Sequence, residues 1–101
     1  MAAGPGLTPP ARLQLRCPGV GQGGGFRPAL HRLAVALGLQ GELRNQAGAV
    51  LVDLQGERLQ LEAFLQQLPG ACPVAARLES CRHQWLPPLP DPPGGGGVRI
   101  E

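Results

Sequence analysis

Lysine is absent from this 101-residue chain, and all nine basic residues are arginine. The absence excludes a Walker-type phosphate loop, a Schiff base and a lysine nucleophile, each of which needs an ε-amino group. Arginine codons are GC-rich and lysine codons are not, so the bias reads as that of a GC-rich genome. Aromatics are scarce as well: Phe26, Phe64 and Trp85. A core must therefore rest on Leu and Val, and no aromatic–basic platform exists for stacking bases. With a net charge of only +2, nucleic acid is not an expected partner. The three cysteines, Cys17, Cys72 and Cys81, contain no C-x-x-C pair, so neither a zinc ribbon nor a disulfide framework is indicated. Reduced thiols in a cytoplasmic protein are the expectation. No basic segment followed by an apolar run marks a secretory signal, and no stretch approaches the length that spans a bilayer. One compact domain fits this length. The expectation is a monomer with no membrane, metal or cofactor.

What is present is concentrated in residues 16–28, Arg-Cys-Pro-Gly-Val-Gly-Gln-Gly-Gly-Gly-Phe-Arg-Pro. Five glycines between Gly19 and Gly25 let the backbone turn tightly and bring several N–H groups to one ligand without Cβ obstruction. Arg27 follows, a planar and permanently charged fork suited to a pair of phosphoryl oxygens. Pro28 stands in what would be the first turn of a helix, where its missing N–H costs nothing. Loop amides, a cation and a helix N-terminus converge, and together they predict an anion site.

Around that segment the chain reads as alternating strands and helices. The alternation in Leu13–Arg16 predicts a strand that ends in the glycine loop. From Arg27 the period becomes helical, with Leu30, Leu33, Ala34 and Leu37 on one face and Gly38 as a stop. Gly41–Asn45 and Ala49–Leu54 read as strands joined by the turn Gln46-Ala47-Gly48. Leu61, Phe64, Leu65 and Leu68 repeat the helical spacing, and Pro69-Gly70 is expected to end that helix. Val74–Trp85 is a candidate fourth strand and Val98–Glu101 a short fifth. This order, β-α-β-β-α-β, is that of a ferredoxin-like α+β sandwich, an antiparallel sheet with two helices on one face. Residues 1–10 read as a disordered leader, and the domain as 11–101 with a Pro/Gly-rich loop at 87–97.

The run Gly19-Val-Gly-Gln-Gly-Gly-Gly-Phe-Arg27 and the later Gly41-Glu-Leu-Arg-Asn45 resemble the acylphosphatases. That family carries Gly-x-Val-Gln-Gly-Val-x-Phe-Arg after its first strand and an asparagine at the end of its second. Pro28, the Asn45–Val50 turn and Cys72-Pro-Val-Ala-Ala-Arg-Leu-Glu look most like one branch, the N-terminal acylphosphatase-like domain of the hydrogenase maturation carbamoyltransferase HypF. The resemblance covers residues 11–86 and the final strand. It implies hydrolysis of an acyl phosphate or carbamoyl phosphate, with the hydrogenase maturation proteins as partners in the HypF setting. It also implies roles. Arg27 and the amides of Val20, Gly21, Gln22, Gly23, Gly24, Gly25 and Phe26 hold the phosphoryl group, and Asn45 orients the attacking water. Such a transition state asks mainly for positioning and charge stabilisation, so no protein nucleophile or cofactor is required. Gly21 and Gly24 depart from the family's valines. Each raises the entropic cost of ordering the loop by roughly 0.5–1 kcal/mol, which together weakens phosphate binding about tenfold.

Two other readings compete. Gly19-x-Gly21-x-x-Gly24 matches the dinucleotide fingerprint, with Glu42 at a ribose-binding distance in sequence, but too little chain follows for a dinucleotide-binding sheet. A non-catalytic ferredoxin-like module that binds a small anion or partner protein is the second, because the fold hosts many functions. His31, four residues after Arg27, reads as an exposed helical residue, and His83 as a strand-surface one. Trp85 is expected to close one end of the core.

Overall fold

Leu13, Leu15 and Cys17 alternate with Arg12, Gln14 and Arg16, and the pleat of a strand sends the two sets to opposite faces. A computed structural model of the protein describes residues 9–18, 25–71, 81–91 and 96–100, and there this segment is β1 (Pro10–Pro18). Pro10, at the last position of the expected leader, opens the strand, and residues 1–8 lie outside the described ones. Then follow α1 (Phe26–Ala36), β2 (Gln40–Gln46), β3 (Ala49–Glu57), α2 (Arg58–Ala71), β4 (Arg82–Leu86) and β5 (Val98–Ile100).

The strand order is β4-β1-β3-β2-β5. Central β3 runs antiparallel to both β1 and β2, and β4 pairs antiparallel with β1. The first four strands thus form the expected ferredoxin-like unit. The sheet is mixed rather than purely antiparallel, because β5 adds to the outer edge of β2 in parallel. A parallel addition needs a long crossover, and the segment between β4 and β5 supplies it.

Leu13 and Leu15 of β1, Leu43 of β2 and Val50, Val52 and Leu54 of β3 are buried on one face of the sheet. Phe26, Leu30 and Ala34 of α1 and Leu61, Phe64 and Leu68 of α2 cover them. Each fully buried Leu or Phe contributes roughly 1.5–3 kcal/mol through apolar area removed from water. Trp85 is half-buried against this core, and the Arg58 guanidinium lies 3.7 Å from its ring centroid, a cation–π contact that closes one end.

Several expectations change. α2 continues through Pro69 and Gly70 to Ala71. Proline lacks the N–H that would bond four residues back, but its fixed φ is already helical and the helix runs on for only two residues beyond it. Of the expected fourth strand only the end is seen, as β4, which runs on to Leu86; residues 72–80, with Cys72, lie outside the described ones. Cys17 and Cys81 are joined in a disulfide, which corrects the expectation of reduced thiols for this pair. The β1–β4 register pairs Arg16 with Arg82, so the next rung sets Cys17 beside Cys81, with Cα atoms 4.2 Å apart. Nothing in their spacing of 64 residues could announce that. His31 is half-buried, with Nε2 2.8 Å from the Val98 carbonyl. A carbonyl only accepts, so Nε2 carries the proton and ties α1 to β5. His83 is exposed on β4, as expected.

The crossover is held where it meets the sheet. The Gln55 side-chain amide donates to the Leu89 carbonyl at 2.8 Å and its oxygen accepts from the Leu89 N–H at 2.9 Å. It thereby serves the strap as a neighbouring strand's peptide group would.

Gly41 is pinched between two strands. Its φ is 151°, its N–H donates to the Gly97 carbonyl at 2.9 Å, and a Cβ there would overlap the Asp53 carbonyl. Gly41→Ala is expected to cost at least about 2 kcal/mol, lowering Tm by roughly 8–16 °C. Gly70→Ala, in helix with open space around it, should leave Tm unchanged or raise it. Thermal denaturation of both variants measures this, and a Gly41→Ala protein as stable as the parent refutes the pinch.

Candidate functional site

The end of the sheet from which the glycine loop departs is built by register. On one rung Cys17 of β1 pairs with Val50 of β3, which pairs with Asn45 of β2. Alternation puts Asn45 on the same side as buried Leu43, toward the helices. Lying past the end of the core, it is exposed. β1 ends at Pro18 opposite Ala49, and the chain re-enters the described residues at Gly25.

Gly25 is the N-cap of α1, in the left-handed region at φ 76°, and its carbonyl accepts from the Ala29 N–H at 3.1 Å. Phe26 is 3% exposed, so its ring anchors the start of α1 in the core. Half-buried Arg27 and exposed Pro28 follow in the first turn. The first N–H groups of a helix have no partner within it; here they belong to Phe26 and Arg27, since Pro28 has none. No acidic residue occupies that turn. The local field is therefore positive, from the helix dipole and the Arg27 guanidinium together.

Of the site residues expected from sequence, Gly25, Phe26 and Arg27 sit at the start of α1 and Asn45 at the end of β2. The register sets Asn45 level with Cys17, one residue before the end of β1. Val20, Gly21, Gln22, Gly23 and Gly24 lie outside the described residues. Among the described residues no group of His, Cys, Asp and Glu side chains is arranged to hold a metal ion.

A second feature was not foreseen. A shallow cavity of about 480 Å³ opens on the sheet face away from the helices, lined by Arg16, Arg44, Arg82, Glu42, Asp53 and Gln84 among others. Its floor is a hydrogen-bonded chain across three strands. Arg12 grips Asp53 with two bonds of 2.9 and 2.7 Å, Gln14 donates to Asp53 at 3.2 Å, and Gln84 donates to Gln14 at 3.0 Å. Burial raises the Asp53 carboxyl, but the bonds from Arg12 and Gln14 and the charges of Arg12 and Arg44 together hold it below the usual carboxylate range. The hydrogen bond to Asp53 raises Arg12 above its ordinary value, against a smaller lowering by burial. The available signal was the alternation Arg12, Gln14, Arg16; its partners on β2, β3 and β4 become visible only with the register.

Comparison with known proteins gives a consistent result. The family model described as Acylphosphatase matches residues 13–93. Carbamoyltransferase HypF2 of Cupriavidus necator is 40% identical over 68 residues, which are 67% of this chain and 8% of that protein. The chain thus spans less than a tenth of that relative's length. The acylphosphatase of Lactobacillus johnsonii is 35% identical over 74 residues, 72% of this chain and 81% of that one. Among solved structures, full-length HypF in a phosphate- and nucleotide-bound form superposes with a TM-score of 0.79 at 20% identity, over 92% of this chain and 12% of that one.

The Asp53 shift has a signed consequence. The unfolded carboxyl takes up a proton near pH 4, whereas the folded one does so only at lower pH. The contribution is thus complete above about pH 4 and is lost as pH falls through the folded value. Asp53→Asn should cost about 1–2 kcal/mol at neutral pH, the lower part of the range for charge-assisted bonds because the pair is partly exposed. Urea midpoints at about pH 7 and about pH 3 should then differ more for the parent than for Asp53→Asn; equal differences would remove this carboxylate from the acid response.

Proposed function

We propose, because this chain belongs to the acylphosphatase family, that it hydrolyses the phosphate anhydride of an acyl phosphate or carbamoyl phosphate at the loop end of the sheet. The observation that carries the reading is the meeting of two element ends. Asn45, next to last in β2, stands level with Cys17, next to last in β1, and the chain that leaves β1 returns at the first turn of α1 with Arg27.

In this reading the Arg27 guanidinium and the amides of residues 20–26 hold the phosphoryl oxygens, and the Asn45 side chain orients water. The water oxygen forms a bond to phosphorus as the bond from phosphorus to the acyl oxygen breaks. The acyl or carbamoyl oxygen leaves with the electron pair, and the water's proton passes to solvent or phosphate. A carboxylate is a good leaving group, so the protein has positioning and charge stabilisation to supply. No side chain need be consumed.

The HypF likeness extends the proposal to a role as the N-terminal part of a carbamoyltransferase, with carbamoyl phosphate as substrate and hydrogenase maturation proteins as partners. No described helix is long and apolar enough to cross a membrane, and we place the chain in the cytoplasm as a monomer. A reducing compartment would open the Cys17–Cys81 bond, leaving the five β1–β4 rungs to hold β4.

The expected outcomes separate the two residues. Phosphate at tens of millimolar should stabilise the parent, by about 2.7 kcal/mol once its concentration reaches about a hundredfold its Kd. Arg27→Lys should lose that gain, because a point charge does not reproduce the planar fork. Asn45→Ala should keep the phosphate effect yet lower turnover of acetyl phosphate or carbamoyl phosphate by about 3–4 kcal/mol in activation free energy, as for a lost preorganised donor. Turnover unchanged by Asn45→Ala would refute its role. A parent that binds phosphate without turnover would favour the non-catalytic anion-binding module.

A further inference from the structure

The open face of the sheet carries charge that acyl phosphate hydrolysis does not use. Arg16 pairs across strands with Arg82 on one side and Leu51 on the other, and Leu51 pairs on to Arg44. One row perpendicular to the strands therefore reads Arg82, Arg16, Leu51, Arg44. With neighbouring strands about 4.8 Å apart, it spans roughly 15 Å. All three arginines are exposed and line the cavity of about 480 Å³. Direct cross-strand neighbours of like charge, such as Arg16 and Arg82, do not stabilise a sheet, so folding alone gives no reason for the row.

The two carboxylates that line the cavity are bonded to other arginines, and Arg44 acts on Asp53 only through its charge. Asp53 is gripped by Arg12, and Glu42 lies 3.4 Å from the Arg99 guanidinium. Arg16 and Arg44 have no hydrogen bond or ion pair among the described residues. Two exposed guanidinium forks thus flank a half-buried leucine, with a third beside them.

The same face already holds a backbone segment toward its other end. After β4 the chain lies across the sheet, and Gln55 binds both backbone polar groups of Leu89. That strap buries Gln55 to 8% exposure and leaves the arginine row open.

We infer that the row Arg82–Arg16–Leu51–Arg44 is a docking surface for an extended acidic segment of a partner polypeptide, its carboxylates on the arginines and an apolar side chain on Leu51. Charge complementarity and the strap's precedent argue for this occupant. A nucleic acid fits less well. Its phosphates extend to both sides, onto the row of Glu42 and Asp53, and no Phe, Tyr or Trp lines the cavity for a base to stack on.

The test uses the full chain and a labelled decapeptide, Glu-Ser-Glu-Ser-Leu-Ser-Glu-Ser-Glu-Ser, which when extended sets its Glu and Leu side chains on one face, followed by fluorescence anisotropy at low salt. Binding should weaken about tenfold in high salt, as screening requires. Arg16→Gln and Arg44→Gln should each weaken it about threefold to fivefold, and the double variant at least about tenfold. Arg32→Gln, on the exposed side of α1, should leave it unchanged, and each variant's Tm reports folding. Arg27→Ala should also retain peptide binding, which separates this surface from the phosphate site. Absence of binding at about 1 mM peptide, parental binding by the double variant, loss of binding in Arg27→Ala, or tighter binding of an oligonucleotide of the same length would each overturn the inference.

Discussion

Pairing of β1 with β3 in one antiparallel register is the constraint on which the other features depend. Nine rungs, from Pro10 opposite Glu57 to Pro18 opposite Ala49, hold Leu13, Leu15 and Cys17 toward the helices and Arg12, Gln14 and Arg16 toward solvent. A slip of one residue would exchange the two sets and drive two arginines into the core, where an unpaired charge costs several kcal/mol. The register is therefore strongly specified. It also sets Arg12 where its fork meets Asp53, Cys17 where it meets Cys81, and the loop end level with Asn45.

From that ladder the two faces diverge in chemistry. Toward the helices the sheet is apolar at its centre, and polarity returns at its rim, with Asn45 near the end of β2 and His83 on edge strand β4. Phe26 matters there more than its type suggests. By burying its ring it fixes the first turn of α1, and so the position of Arg27 beside it. On the opposite face polar side chains form networks across strands, and Gln55 anchors the strap that lets β5 reach the far edge.

Legibility in the sequence followed the range of the forces involved. α1 could be read from Leu30, Leu33, Ala34 and Leu37, and the β2–β3 hairpin from alternation on either side of Ala47-Gly48, because each is a local periodicity. Both turn residues have positive φ, 53° and 80°, as a tight hairpin with right-handed strand twist demands. Arg27 and Asn45 stood out through their local motifs. Contacts made by register were not legible. Cys17 and Cys81 are distant in sequence, Gln55 and Leu89 belong to different segments, and Arg16, Arg44 and Arg82 lie on three strands. Pro69-Gly70 usually breaks a helix, yet α2 keeps helical geometry through both at the cost of the one bond that the Pro69 nitrogen lacks.

The absence of lysine reads at first as codon bias, yet the fold uses arginine in ways an ammonium would not serve. Arg12 makes two hydrogen bonds to one carboxylate across a strand pair, which a point charge makes with less geometric definition. Arg58 lays its plane over Trp85 while its Nε donates to Glu62 at 2.9 Å, satisfying a ring face and an ion pair together. At the loop end the same planarity suits a tetrahedral anion, and on the open sheet face it suits carboxylates arriving from solvent. A chain whose nine basic side chains are all guanidinium thus has directional cations, and a fold with three aromatics in the whole chain draws part of its definition from them.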